Sequence, residues 1–531
     1  MNKKNIFYCL IIYVLSLSLF CACEKEMIEI TPDGIGTADS HPNFYDGYFL
    51  YGSNMGWLNN NWRDEDIADI LIGNPSRERT WEGVGVNSLR LKLHESFIEA
   101  WGPDVHVNTF QYYSDRNAKH NVIFIGDEPC NQHRDGNSQS FKNLYEPIWK
   151  ENPNGTATVN EKNYYASYVY SLVTRYKDYG KFWEIKNEPD FTWSDCGWNG
   201  QSPCSWWKKD PSPNELTNWG ASIQSYVRLL RISYEVIKSV DPEAFICIGG
   251  IGYPSFLDAI LRNTDNPDGG KVTERYPHQG GAWFDCLSFH CYPMYYLRAW
   301  DNAIGGFRQF RHSDAAVEAV INQLNEHETV LRKYGYGVEY QEKEVIITET
   351  NVPSKQIGEY IGSVEAQRNY LIKVAVVGQK NRIRGIYPFS VWDTREQNEN
   401  GWEYDYMGFY KPLPSSPGDN LRVNDSGIAW RTVSSMLQGR TYDPAETAKL
   451  ALPSTIEGGS FHSTRSNDYV YVLWAKTSRD LSETASVSYT FPASIRVNRL
   501  NVTSWNNTHS TINSATINLT GSPLFIKIMN N

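Results

Sequence analysis

KFWEIKNEP, residues 181–189, is a short apolar and aromatic run that ends on Asn187, Glu188 and Pro189. Its composition is that of a β-strand, so the carboxylate of Glu188 stands just past a strand end. NYYASYVYSLVTRYKDYG (163–180) precedes it and TNWGASIQSYVRLLRISYEVIKSV (217–240) follows it. Both carry apolar residues at three- and four-residue spacing, the period of a helix with one buried face. A strand flanked by helices is the repeating unit of parallel α/β architecture.

Seven further runs repeat the unit: GYFLYGSN (47–54), GVNSLRLKL (85–93), NVIFIGD (121–127), FICIGGIG (245–252), FDCLSFHCYP (284–293), KEVIITET (343–350) and RGIYPFSVWD (384–393). Eight strand-plus-helix units in roughly 400 residues predict a (β/α)8 barrel with insertions over residues 44–440. An open doubly wound sheet would carry a Gly-rich phosphate loop after its first strand, and neither GxGxxG nor GxxxxGK[ST] is present. Nucleotide chemistry is therefore not expected. From about residue 441 the pattern changes. TAKLALPST, DYVYVLWAKT, TASVSYTFP, IRVNRLNVTSW, SATINLTG and SPLFIKI read as short strands separated by Gly, Asn, Ser and Pro, which predicts a small antiparallel β-sandwich over 441–531.

The formal charge is −11, from 61 acidic against 50 basic residues, with no Lys/Arg-rich run. That balance argues against a nucleic-acid partner and fits an uncharged polymer or small neutral molecule. Aromatic residues make up 14% of the chain, with 18 Trp and 34 Tyr, many in loop-like stretches where their faces either receive a flat ligand or pack the loops. At the N-terminus, MNKK (1–4) and the apolar stretch 5–20 have the form of a signal peptide, and Ala22-Cys23 resembles a bacterial lipobox in which Phe20 replaces the usual Leu. The resemblance implies cleavage after residue 22, lipidation of Cys23 and export to the outer membrane or cell surface of a Gram-negative bacterium. An ordinary secretory signal or an uncleaved anchor is the alternative. Residues 23–43 are polar and acidic and read as a tether.

Six of the nine cysteines lie beyond this segment. There is no CxxC, and Cys130 with His133 lacks a second ligand pair, so no metal and no cofactor are expected. Cys196 and Cys204 flank a loop and in an oxidising compartment could form a disulfide. Cys247, Cys286 and Cys291 sit in apolar runs and read as buried thiols.

In a barrel of this kind the active site forms at the C-terminal strand ends. Glu188 follows the fourth strand, and Glu349 ends the seventh in KEVIITET. Two carboxylates facing each other across a barrel mouth are what glycoside hydrolysis requires: one donates a proton to the leaving oxygen, and the other attacks the sugar carbon or activates water. Asn187-Glu188-Pro189 and Thr348-Glu349-Thr350 resemble the acid/base and nucleophile motifs of the clan A glycoside hydrolases, retaining barrel enzymes. The resemblance implies roles for further positions. Arg90 would hold the nucleophile ionised, His290 and Tyr292 would line the cleft and bond the nucleophile, and Asn187 would meet the sugar 2-hydroxyl. Trp392 would floor a subsite, with a cis peptide before it. Glu188 would need a raised pKa, and Glu349 would need Arg90 and Tyr292 to stay charged. Retention further asks for carboxyl groups roughly 5–5.5 Å apart.

His94, Glu95, Asp127, Glu128, Asp190 and Asp393 also follow predicted strands, as contacts to sugar or as loop supports. Trp193, Trp198, Trp206 and Trp207, in the insertion after the fourth strand, form either a stacking wall or a packed cluster; Trp57, Trp62, Trp101 and Trp402 are further candidates. Trp474 and Trp505 belong to the sandwich, as glycan platforms or as contacts with the barrel. The layout of barrel plus sandwich resembles bacterial endo-β-1,3-glucanases, which implies a laminarin-type β-glucan substrate and a monomer. Hydrolysis of β-1,4-glucan, xylan, galactan or agar, and a glycan-binding lipoprotein without activity, are the alternatives. A polysaccharide lyase would need a Lys, Tyr or His base and often calcium, and no calcium-loop motif occurs.

Overall fold

The computed structural model describes residues 44–55, 61–76, 81–153, 155–417 and 420–529. Cys23, the tether and Trp57 lie outside the described residues. Eight parallel strands close into a barrel: β1 (Leu50–Asn54), β2 (Ser88–Lys92), β3 (Asn121–Ile125), β4 (Gly180–Ile185), β5 (Phe245–Ile248), β6 (Cys286–Cys291), β7 (Glu344–Thr350) and β8 (Ile383–Pro388). Each pairs with its sequence neighbours, and β8 closes on β1. Six of the strands fall within the runs read from the sequence, and β4 and β8 each begin one residue before theirs, at Gly180 and Ile383. Around them stand α1 (Asp64–Ile72), α2 (Glu95–Trp101) and α3 (Val107–Asp115), α4 (Tyr164–Tyr176), α5 (Ile223–Val240), α6 (Pro254–Arg262), α7 (Ser313–Lys333), α8 (Val364–Lys380) and α9 (Asp425–Leu437). Among the described residues, no helix is long and apolar enough to cross a membrane.

The barrel interior changes character with height. Leu50, Val122, Phe182, Phe245, Ile346 and Tyr387 pack together as a dry lower layer beneath the strand ends. Above them the next inward-facing positions on β2, β4 and β7 are Arg90, Glu184 and Thr348, all buried. Strand alternation places these polar groups one pleat above the apolar layer, so the apolar plug closes the bottom and charge collects at the mouth.

The C-terminal region is a sandwich of a six-stranded antiparallel sheet and a two-stranded one. Along the larger sheet run β9 (Thr441–Tyr442), β10 (Ile456–Ser463), β11 (Asp468–Ala475), β16 (Leu524–Met529), β13 (Arg499–Thr503) and β14 (His509–Ile512); β12 (Ser486–Thr490) pairs with β15 (Thr516–Thr520). Both faces of β11 are used. Tyr471 and Leu473 enter the sandwich core, while Val470, Val472 and Trp474 join the core that surrounds the barrel. Trp474 is buried against the barrel. Trp505 packs on it too, with Arg368 over its ring at 4.2 Å. One expectation fails here: TAKLALPST (447–455) is not a strand. Its first residues belong to α10 (Pro444–Lys449), because Asp443 accepts from Glu446 N at 2.8 Å and Pro444 occupies the first turn, a capping signal that outweighs the β-like composition.

Candidate active site

Glu188 and Glu349 meet at the mouth, and each is turned there by a local irregularity. After β4, Lys186 and Glu188 both adopt left-handed backbone angles, φ +73° and +46°. Each such residue costs of order 1–3 kcal/mol unless its surroundings hold it. They do: Glu188 N donates to Gly249 O at 2.7 Å, and buried Lys186 reaches Asp127 at 2.7 Å and Gly126 O at 3.1 Å. Burial pushes the Lys186 ammonium down, against the attraction of Asp127. On β7, Ile346 and Thr348 face inward, so strict alternation would send Glu349 out toward the helices. The pairing with β6 shifts register between Ile347 and Glu349, which sets Glu349 opposite His290. A bulge of this kind re-aims a side chain.

Arg90 organises the floor. Its guanidinium, almost fully buried, donates from Nε to Glu184 at 2.7 Å, from one terminal nitrogen to Glu349 Oε1 at 2.7 Å and from the other to Asn187 Oδ1 at 2.6 Å. Glu184, fully buried, also accepts from Thr348 Oγ1 at 2.7 Å. Glu349 accepts in addition from Asn54 at 2.8 Å and Tyr292 at 2.7 Å. Burial raises the pKa of Glu349, but the charges of His290 and Arg90 and the bonds from Tyr292 and Arg90 outweigh it, and the carboxyl is held below its ordinary value. Burial and the Glu349 charge push the Tyr292 phenol well up, so it stays a donor.

His290 differs from expectation. Its Nδ1 lies 2.9 Å from Glu188 and 3.8 Å from Glu349, so it bonds the first carboxylate and not the second. Its Nε2 is buried and has no partner among the described residues. Burial pushes the imidazole down, yet the two carboxylates outweigh this and raise it. One oxygen each of Glu188 and Glu349 and one His290 nitrogen lie within 4.8 Å of one another. Glu188 is the more open acid: its side chain is 29% exposed, that of Glu349 13%.

The remaining candidates divide. Asp190 is buried and accepts from the amides of Gly252 and Tyr253, both at 2.8 Å; burial pushes its carboxyl up to about 7. Asp393 accepts from Gly408 N and Asn424, so it ties loops together. His94 is buried, 3.6 Å from Glu128. Glu95, Cys130 and His133 converge, with Glu95 taking Cys130 N at 2.7 Å and His133 at 2.5 Å. Glu95 therefore gives Cys130 and His133 an acidic neighbour that sequence spacing did not show. Cys130, Cys247, Cys286 and Cys291 are free and buried.

Cys196 and Cys204 are bridged, with Cα atoms 5.2 Å apart. On this loop Trp206 is buried while Trp193, Trp198 and Trp207 are exposed. Trp101 and Trp402 are exposed as well, whereas Trp62 is buried and stacked on Trp81. Trp392 is half-buried in the packing around the barrel, bridged to Tyr410. The cis peptide is at Phe389–Ser390 instead of before Trp392. The rings that touch Tyr292 are Phe389, at 6.4 Å, and Tyr404, at 4.9 Å. Reading the sequence missed both, together with Asn54, Glu184 and Thr348. The signal for Glu184 was present, as a lone charge at inward parity with Phe182 in an apolar strand.

No protein-family profile and no curated protein sequence matches the chain. Solved structures do. The chain is similar to a glucosidase from Croceicoccus marinus, with TM-score 0.51 and 11% identity over 92% of this chain and 97% of that one. It is also similar to the catalytic domain of GH30 xylanase C from Talaromyces cellulolyticus, with TM-score 0.49 and 13% identity over 93% and 99%. A third is the GH51 α-L-arabinofuranosidase from Thermotoga petrophila, with TM-score 0.49 and 12% identity over 92% and 98%. The likeness to the glucosidase is one of fold.

Proposed function

We propose that the chain is a retaining glycoside hydrolase of β-linked polysaccharide, with an endo-β-1,3-glucanase acting on laminarin-type glucan as the leading assignment. The observation that carries this reading is the pairing of Glu188 with a Glu349 held ionised by Arg90, Asn54 and Tyr292, oxygen to oxygen within 4.8 Å. That separation suits the direct attack of a retaining enzyme, since an inverting one leaves roughly 6.5–9.5 Å for a water between its carboxyls. In the first step Glu349 bonds to the anomeric carbon as the glycosidic C–O bond breaks, and Glu188 gives its proton to the leaving oxygen. In the second, water attacks the same carbon, Glu188 takes a proton from it, and the ester to Glu349 breaks. Asn187 Oδ1 is occupied by Arg90, which leaves its Nδ2 to donate to a substrate hydroxyl. The Cys196–Cys204 bridge fits an oxidising compartment, as export anchored at Cys23 would provide.

The test is hydrolysis of a panel of defined β-glycans, laminarin first, by the full-length chain and by Glu188→Gln and Glu349→Gln. Oligosaccharide release from one polymer is expected to fall by about 10²–10⁴-fold or more in each variant, and the first product should keep its anomeric configuration by proton NMR. An inverted product would remove the double displacement. Binding without hydrolysis, unchanged in both variants, would leave a glycan-binding protein.

A further inference from the structure

A groove of about 1320 Å³ runs along the flank of the barrel over α7, from the disulfide-bridged loop to the sandwich. Its lining includes Trp198 and Trp207 of the bridged loop and Glu457 and Lys476 of the C-terminal region. Ligand pockets that enclose a single small molecule span roughly 300–1,000 Å³, so the space suits a longer, linear ligand. The lining α7 residues extend from Asp314 to Glu326, about 18 Å of helix.

Part of the groove lining lies next to the residues of the mouth. Gly252 and Tyr253 line it, and their amides hold Asp190, two residues from Glu188. Gln323 also lines it; its Nε2 donates to Gly252 O at 2.9 Å and to His290 O at 3.0 Å. Gln323 is 7% exposed, and its Oε1 is buried without a partner among the described residues. The exposed rings of Trp198, Trp207 and Tyr296 offer flat apolar faces along the same path. With Glu457 paired to Lys380 and Arg298 to Glu359, Glu318 and Glu326 stand against Lys476 in the lining, a balance that disfavours an anionic chain.

We propose that this groove is a second glycan-binding site, taking a segment of a neutral polysaccharide whose reacting unit sits at the mouth. It rests on the glycoside hydrolase reading of Glu188 and Glu349. A chain held along α7 is bound at many units and cut at one, which makes polymer length itself a determinant of affinity.

Two full-length variants test it, neither touching the carboxylates. Tyr296→Ala removes an exposed ring, and Asn322→Arg places a long side chain in the groove from an exposed position of α7, with a residue of good helix propensity. Each is assayed on laminarin, or whichever polymer of the panel is cleaved, and on the trisaccharide of the same linkage. The KM for polymer should rise about tenfold while kcat/KM for the trisaccharide stays within about twofold. Equal behaviour on both substrates, whether unchanged or reduced together, overturns the groove and leaves the mouth reading standing. If the wild-type chain cleaves nothing, the mouth reading fails. In that case retardation of the chain in laminarin gels, abolished by Asn322→Arg, would still uphold the groove, and its absence would end it.

Discussion

Two buried charge clusters sit on this barrel, one at the mouth and one under the sandwich, and they use their carboxylates differently. Beneath the sandwich, Asp314 accepts from Trp474 Nε1, Thr477 N, Thr477 Oγ1 and Lys373 at 2.6–2.8 Å. Glu483 accepts from Ser313 N at 2.7 Å, from Ser313 Oγ and from Asn369 at 3.0 Å. Both acids have their acceptor capacity filled. At the mouth Glu349 is nearly as well supplied, but Glu188 bonds through its side chain to His290 alone among the described residues and keeps the greater exposure. Both clusters hold more acids than fixed cations. What separates a clamp from a site is the lone pairs left over: an acid with unfilled acceptor capacity facing solvent can take a substrate, whereas a saturated one can only hold two parts together.

The two clusters should part most sharply when the central cation of each is removed. Arg90→Met and Lys373→Met should each cost about 3–5 kcal/mol of stability in urea unfolding, because each leaves buried carboxylates uncompensated. Only Arg90→Met should abolish turnover in the protein that remains folded, since Glu349 then loses its guanidinium. Full activity in Arg90→Met would erase the distinction between the two clusters.

A smaller effect is expected from the loop beside the mouth. Replacing Cys196 and Cys204 by Ser removes a bridge that closes a short loop, a loss of about 2.5 kcal/mol in the chain-entropy description. The midpoint of thermal unfolding should fall under oxidising conditions and coincide with that of the reduced wild type.

A third effect is a change in pH dependence. Asp190 ionises near 7 in the folded chain against 3.8 for a free carboxyl. Between those values the folded state holds a proton the unfolded state has released, so stability falls as pH rises through the window. Asp190→Asn should flatten that slope, measured as the unfolding midpoint from pH 4 to 8. An unchanged slope would place the titration elsewhere.

Much of this was legible in the chain. Eight apolar runs with helical spacing between them are local patterns, and local patterns survive without knowledge of what packs where. The Asn-Glu-Pro end of β4 and the Glu near the end of β7 could be placed at the rim by counting strands. The sandwich strands were partly misread: Asp443-Pro444 starts a helix where composition suggested a strand, and Ile456–Ser463 and His509–Ile512 were passed over. Which of the loop aromatics are exposed was not legible, because exposure is a property of the fold. Of the four tryptophans in one loop, only Trp206 is buried, and nothing in WSDCGWNGQSPCSWW sets it apart.

By itself the sequence determined the barrel, the chain order of its strands and the two carboxylates at their ends, since each follows from periodicity and turn chemistry over a few residues. Only the tertiary structure decided which way those carboxylates point and what they touch. The register shift in β7 turns Glu349 inward against its parity, the left-handed turn at Lys186 and Glu188 aims the other acid, and Arg90 joins Glu184, Asn187 and Glu349 across 94, 97 and 259 residues. Closing a barrel brings such distant positions within one hydrogen bond, and a linear pattern has no term for that distance.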